Sequence, residues 1–169
     1  MPFALRPLVA VAFMLGSPFA VASCGEPASP ATMTVVAGGK SFACKVAADM
    51  ATREMGMGKA TSVGPDEGMI FAFPDAQPRR FWMRRCVIDL DIAFIDPFGF
   101  VTAVHTMPKE ELQRADETEE QYLARLKGYP SGAPAQFALE VAPGTLAPLG
   151  IRQGSRIEFD RDTLKRIAK

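Results

Sequence analysis

Apolar and polar residues alternate along most of this chain with the period of a β-strand. Residues 32–36 predict a first short strand, closed by the turn Ala37-Gly38-Gly39. Residues 40–47 predict a second, with Phe42, Cys44 and Val46 on its inward face. Asp49 is placed to cap a short helix over 50–55, which Gly56 ends. Residues 58–68 are polar and punctuated by Gly and Pro, so they read as loop. In the third strand Met69, Phe71 and Phe73 alternate with Ile70 and Ala72, and 74–78 reads as a turn. Residues 81–96 predict one long or kinked strand, with Ile88, Leu90, Ile92 and Phe94 on one face and Asp89 and Asp91 on the other. Asp96-Pro97-Phe98-Gly99 is a type I hairpin signal, and 100–107 is the returning strand.

Residues 109–129 break the period of two. Thr118-Glu119-Glu120-Gln121 is a capping box, Tyr122, Leu123 and Leu126 form a small apolar stripe, and Gly128 stands where a helix C-cap belongs. Residues 130–134 read as loop. Strands follow over 135–142, with Phe137, Leu139 and Val141 on one face, and over 155–160. The charged tail 161–169 reads as a short helix or a disordered end. Many short strands with little helix predict an all-β domain, a compact antiparallel barrel or sandwich carrying one or two short helices.

The start of the chain changes the picture of where this domain works. Arg6 followed by the apolar run LVAVAFML (8–15) reads as an export signal over residues 1–23, too short to span a bilayer. Two processing readings are open: small-x-small cleavage after Ala20-Val21-Ala22, or a lipobox, Val21-Ala22-Ser23-Cys24, that makes Cys24 the lipidated first mature residue. Residues 24–31 then form a flexible tether, and 32–160 one domain. The expected location is periplasmic or membrane-anchored, with contact to the membrane through lipid if Cys24 is modified.

The whole chain balances 19 basic against 19 acidic residues, and removal of 1–23 takes away only Arg6. That charge gives no footprint for nucleic acid. In an oxidising compartment thiols tend to pair. Cys44 and Cys86 both alternate with inward positions, which predicts a core disulfide between them; two buried free thiols are the alternative.

Several blocks together resemble the UPF0127 family, also called DUF192. They are Arg53-Glu54-Met55-Gly56-Met57, Gly68-Met69-Ile70-Phe71-Ala72-Phe73, Pro78-Arg79-Arg80-Phe81-Trp82-Met83-Arg84, Leu90-Asp91-Ile92-Ala93-Phe94-Ile95-Asp96, Leu139-Glu140 and Gly150-Ile151-Arg152-Gln153-Gly154. The resemblance covers about residues 33–160. It implies a compact β domain, commonly exported, and no particular reaction. The chain departs from the family pattern at Gly58, where Met is usual, at Arg85 and Cys86, which replace Asn and Thr, and at Asp89, which replaces Pro.

Three chemistries are open to these residues. Trp82 with Phe71, Phe73 and Phe81, beside Arg79, Arg80, Arg84 and Arg85, suits ligand recognition by stacking and bidentate hydrogen bonds. Asp89, Asp91 and Glu140 could serve hydrolysis as a carboxylate pair, or simply pair with Arg53 and Arg84. His105, the single histidine, with Met55, Met57, Met69, Met83 and Met107 would suit Cu(I), although Met more often fills irregular core space. No phosphate loop, zinc spacing or nucleophile elbow is present. The leading expectation is a non-catalytic module that uses Arg53, Trp82, Arg84, Asp91, His105 and Glu140 to bind a small molecule or an envelope component, with no cofactor. A small hydrolase using Asp91, Glu140 or His105 and a copper-handling protein are the alternatives.

Overall fold

The computed structural model describes Met1 and residues 31–169. The expected export signal, Cys24 and the expected tether fall on residues 2–30, outside the described residues, apart from Met1. Seven strands and three short helices follow in the order β1 (Thr32–Ala37), β2 (Lys40–Ala47), α1 (Met50–Met55), β3 (Glu67–Phe81), β4 (Leu90–Ile95), β5 (Val101–Met107), α2 (Glu119–Arg125), β6 (Tyr129–Val141), β7 (Ile157–Glu158) and α3 (Arg161–Ile167). The strands form a single sheet in the order β5-β4-β6-β3-β2-β1-β7. All neighbours are antiparallel except β2 and β3, which run parallel. That pair departs from the all-antiparallel expectation. The α1 segment and the loop after it carry the chain back to the start of the sheet, and a crossover of that kind is what parallel pairing needs.

The sheet curls into a half-barrel. Its two ends meet where Phe100 bridges Arg156, Val101 donates its N–H to the Ser155 carbonyl at 2.8 Å, and Ile157 donates to Gly99 at 2.9 Å. Curling gives the sheet two faces with separate cores. The inner core contains Phe42, Cys44, Ile70, Leu139, Val141 and Ile157, closed by Leu164 and Ile167 of α3. The segment 161–169 is thus part of the fold: Asp160 caps α3 by accepting from the Thr163 N–H, and its apolar side plugs the barrel. The outer core contains Met69, Phe71, Met83, Cys86, Leu90, Ile92, Phe94 and Met107.

Local signals were legible. Asp49 and Thr52 form a capping box on α1, and Gly56 ends that helix at φ 46°. Thr118 and Gln121 do the same for α2. Asp96 Oδ1 accepts from the N–H groups of Phe98 and Phe100, closing the β4–β5 hairpin. Four expectations are corrected. Residues 130–134, read as loop, belong to β6, where Pro130 and Pro134 stand opposite Arg80 and Pro78 of β3. Residues 74–78 are not a turn: β3 continues through them, with a register shift against β6 between Ala72 and Gln77 that absorbs the prolines. The predicted strand over 81–96 is broken between Phe81 and Leu90, because Arg85 adopts φ 59° and the Cys86 N–H turns back to the Met83 carbonyl. Gly128 does not cap α2, which ends at Arg125 with Leu126 as its C-cap; a Cβ at 128 would lie 1.6 Å from Arg80 Nε, so glycine there lets the arginine cross the backbone.

No disulfide joins Cys44 and Cys86, and both are buried free thiols. Cys44 pairs with Gly68 on the inner face, whereas Cys86 belongs to the outer core. The turn at Arg85 breaks the alternation from which Cys86 was placed on the same face as Cys44, and the sheet itself separates the two sulfurs. No helix among the described residues is long and apolar enough to cross a membrane.

Candidate functional site

Residues paired across neighbouring strands share a face. The register Lys45–Met69, Met69–Glu140, Ile92–Glu140 and Ile92–His105 therefore sets Met69, Glu140, Ile92 and His105 in one row on the outer face. Over part of that row α1, the loop 82–89 and α2 leave a cavity of about 520 Å³, within the range of small-molecule sites. Its walls are Phe71, Phe73, Phe81 and Met57, and its floor includes Cys86 and Glu140. Phe81 stands edge-on to Phe71 at 5.1 Å, to Phe94 at 5.2 Å and to Phe73 at 6.2 Å, so the aromatic wall is preorganised. Trp82, 50% exposed, and Leu123 of α2 stand at the mouth.

Glu140 is the unusual group. Its residue is 5% exposed, and its Oε2 is buried with no hydrogen-bond partner among the described residues. Burial among apolar side chains pushes its carboxyl up to about 8, so it is protonated at neutral pH. Cys86 below the same cavity is pushed up to about 12, first by burial and then by the Glu140 charge; it is no nucleophile at neutral pH.

The arginines around the cavity are mostly engaged. Arg53 donates from Nη1 to the carbonyls of Ala48 (2.8 Å) and Ala72 (2.9 Å) and from Nη2 to that of Lys169 (2.6 Å). Arg79 pairs with Asp75, and both Arg79 and Arg53 stack on the Phe73 ring, at 4.1 and 5.1 Å. Arg84 Nε donates to Glu119 Oε1 at 2.8 Å, which ties the loop after β3 to α2 across the cavity. Tyr122 Oη adds to that tie by accepting from the Arg85 N–H at 2.9 Å. Neither Arg53 nor Arg84 pairs with Asp91 or Glu140. Arg80, lying over Gly128, has no acidic partner among the described residues.

The six residues singled out from the sequence are thus divided. Arg53, Trp82, Arg84 and Glu140 line one cavity. Asp91 does not: it pairs with Val141 and Thr106 on the inner face, where it accepts from Thr106 Oγ1 (2.9 Å) and the Leu146 N–H (3.0 Å). Asp91 and Glu140 are on opposite faces of the sheet and cannot flank one scissile bond. His105 shares the face of Glu140 but stands two strands away, about 10 Å. Its Nε2 is 2.8 Å from the Pro130 carbonyl oxygen, and its ring packs between Phe94 and Tyr129.

Met57, Met69, Met83 and Met107 are packing residues of the outer core, and Met55 is half exposed. Among the described residues no group of three His, Cys, Asp or Glu side chains is placed to hold a metal ion. Sequence reasoning missed Glu119 and Leu123, whose capping box and apolar stripe announced a helix but not what it would cover.

No curated protein matches this chain. Among solved structures it is similar to a putative transcription regulator from Sinorhizobium meliloti 1021, at 28% identity and TM-score 0.63 over 81% of this chain and 99% of that one. It is also similar to a protein of unknown function from Novosphingobium aromaticivorans DSM 12444, at 27% identity and TM-score 0.58 over 85% and 99%. The model of the uncharacterised family DUF192 (Uncharacterized ACR) matches residues 33–159, and the chain belongs to that family.

Proposed function

We propose that this domain is a non-catalytic binding module, working outside the cytoplasm, that holds a small organic molecule in the cavity between β3, β6 and α2. One observation carries the reading: a buried carboxyl group without a partner, Glu140, lies at the floor of an open cavity walled by aromatic rings. A buried polar group with no partner costs free energy in the free protein, and a ligand that reaches it removes that cost. The Phe71, Phe73 and Phe81 wall supplies apolar contact for the body of such a ligand, and Trp82 closes over its outer end.

The chemistry present argues against catalysis by the expected groups. The carboxylates are divided between two faces, the thiol is held protonated, and His105 is engaged with a backbone carbonyl. Export is supported by Arg6 and the apolar run over 8–15. A role on DNA draws no support from a chain of balanced charge whose cavity arginines are mostly paired.

The test is a thermal-shift and fluorescence screen of the mature protein against small aromatic and aliphatic compounds. Trp82 is the single tryptophan, so its emission reports on the mouth directly. Hits are expected to shift both signals. Trp82→Ala should weaken them by roughly tenfold or more, the scale of one aromatic contact, and leave the melting temperature of the free protein nearly unchanged, because the side chain is half exposed. Absence of any hit, or hits indifferent to Trp82→Ala, would refute the reading.

A further inference from the structure

Resting on that binding reading, we infer that the ligand is an organic amine whose ammonium group enters first and pairs with Glu140. Oε2 of this carboxyl is buried and lacks a hydrogen-bond partner among the described residues, and the main-chain groups around it belong to the β3–β6 and β4–β6 ladders. The missing element is a partner for this carboxyl, and the one that best matches its ionised form in a buried site is a cation that also donates hydrogen bonds. The cavity above it is walled by π faces, which attract cations as well as apolar groups. Trp82 makes no ring contact with any described residue, so its face is free for this.

The rim arginines do not oppose such a ligand. Arg84 is neutralised by Glu119 and Arg79 by Asp75, while Arg53 is fixed to three backbone carbonyls. Glu54 adds a negative charge on the α1 side. Arg80 is the rim guanidinium with neither an acidic partner nor a carbonyl acceptor among the described residues, and it favours an oxyanion on the ligand at the outer end. That polarity sets the direction of entry.

The proton balance follows. Below about pH 8 the free protein holds Glu140 as the neutral acid. Pairing with R–NH₃⁺ requires the carboxylate, so one proton leaves to solvent for each amine bound, and no bond to carbon is made or broken. Cys86, also facing the cavity, stays a thiol across this range. Affinity for an amine must then rise with pH, about tenfold per unit between pH 6 and 7.5, and level off above about 8. A neutral ligand that accepts a hydrogen bond from the protonated acid would bind equally well at all pH values below about 8 and more weakly above it.

Three probes of one shape separate the outcomes: 2-phenylethylamine, 2-phenylethanol and 3-phenylpropionate, titrated calorimetrically into the mature protein in two buffers of different ionisation enthalpy. The expected result is preferential binding of the amine, release of close to one proton at pH 6.5, and loss of at least tenfold in affinity in Glu140→Gln. That variant keeps the side-chain shape and is expected to fold at least as well as the natural chain. If the alcohol or the propionate binds and quenches Trp82 while the amine does not, the binding reading stands and the amine is wrong. The amine is equally wrong if it binds with no proton release or binds Glu140→Gln unchanged. If none of the three binds at millimolar concentration, both readings fall.

Discussion

Replacing Glu140 by Gln should stabilise the protein, and the gain should grow with pH in a calculable way. Gln keeps the size and polarity of the protonated acid but cannot ionise. In the unfolded chain the carboxyl titrates near 4.5; burial moves it to about 8 in the folded one. The sign follows from linkage: the folded state disfavours the charged form, so stability is unaffected below 4.5 and falls as pH rises from there, until the folded-state group ionises too. Each pH unit between the two values carries about 1.4 kcal/mol. The natural chain therefore loses about 3 kcal/mol at pH 7 and on the order of 5 kcal/mol above pH 8, relative to Glu140→Gln.

For a chain of this size the pH 7 difference corresponds to roughly 10 °C in melting temperature. The assay is urea denaturation of both proteins from pH 4 to 9, without ligand. The two curves should coincide at pH 4 and diverge with that slope up to about pH 8. A difference that stays within 0.5 kcal/mol at all pH values, about the noise of independent sites, would mean that water or a mobile donor satisfies Glu140. The account of the cavity floor would then be wrong.

Asp91→Ala should cost about 3 kcal/mol, because it strips the acceptor from the buried Leu146 N–H and from Thr106; facing away from the cavity, it should leave ligand affinity unchanged in the folded fraction, as titration below the melting point will show. Arg85→Gly should stabilise by about 1 kcal/mol, since the left-handed backbone at 85 suits glycine and the lost contact to Glu119 is exposed; a destabilised variant in urea denaturation would contradict this. Cys44 and Cys86 should be found unpaired without any reductant by alkylation in denaturant and peptide mapping. In the native protein at pH 8 both should react roughly a thousandfold more slowly, because burial raises each to about 12.

What the sequence by itself determined was local. Asp49 and Thr118 announced their helices because a capping side chain bonds to backbone two or three residues away, and Asp96 announced its hairpin for the same reason. The alternation in β4 was legible because side-chain direction within one strand depends only on counting. That counting failed across residues 82–89, where one arginine in a left-handed conformation, a type rarely found there, reverses the chain. The predicted disulfide failed with it.

Only the tertiary structure decided which counted faces meet. Asp91 and Glu140 are both acidic positions in apolar strands. The β4–β6 register, in which Ile92 and not Asp91 stands opposite Glu140, sends one to a satisfied site beside Leu146 and leaves the other alone beneath an aromatic cavity. The β2–β3 parallel pairing, the salt bridge from Arg84 to Glu119 and the passage of Arg80 over Gly128 likewise join residues far apart in the chain. Such pairings are fixed by the closure of the curled sheet and the packing of both its faces, and no window of neighbouring residues contains that information.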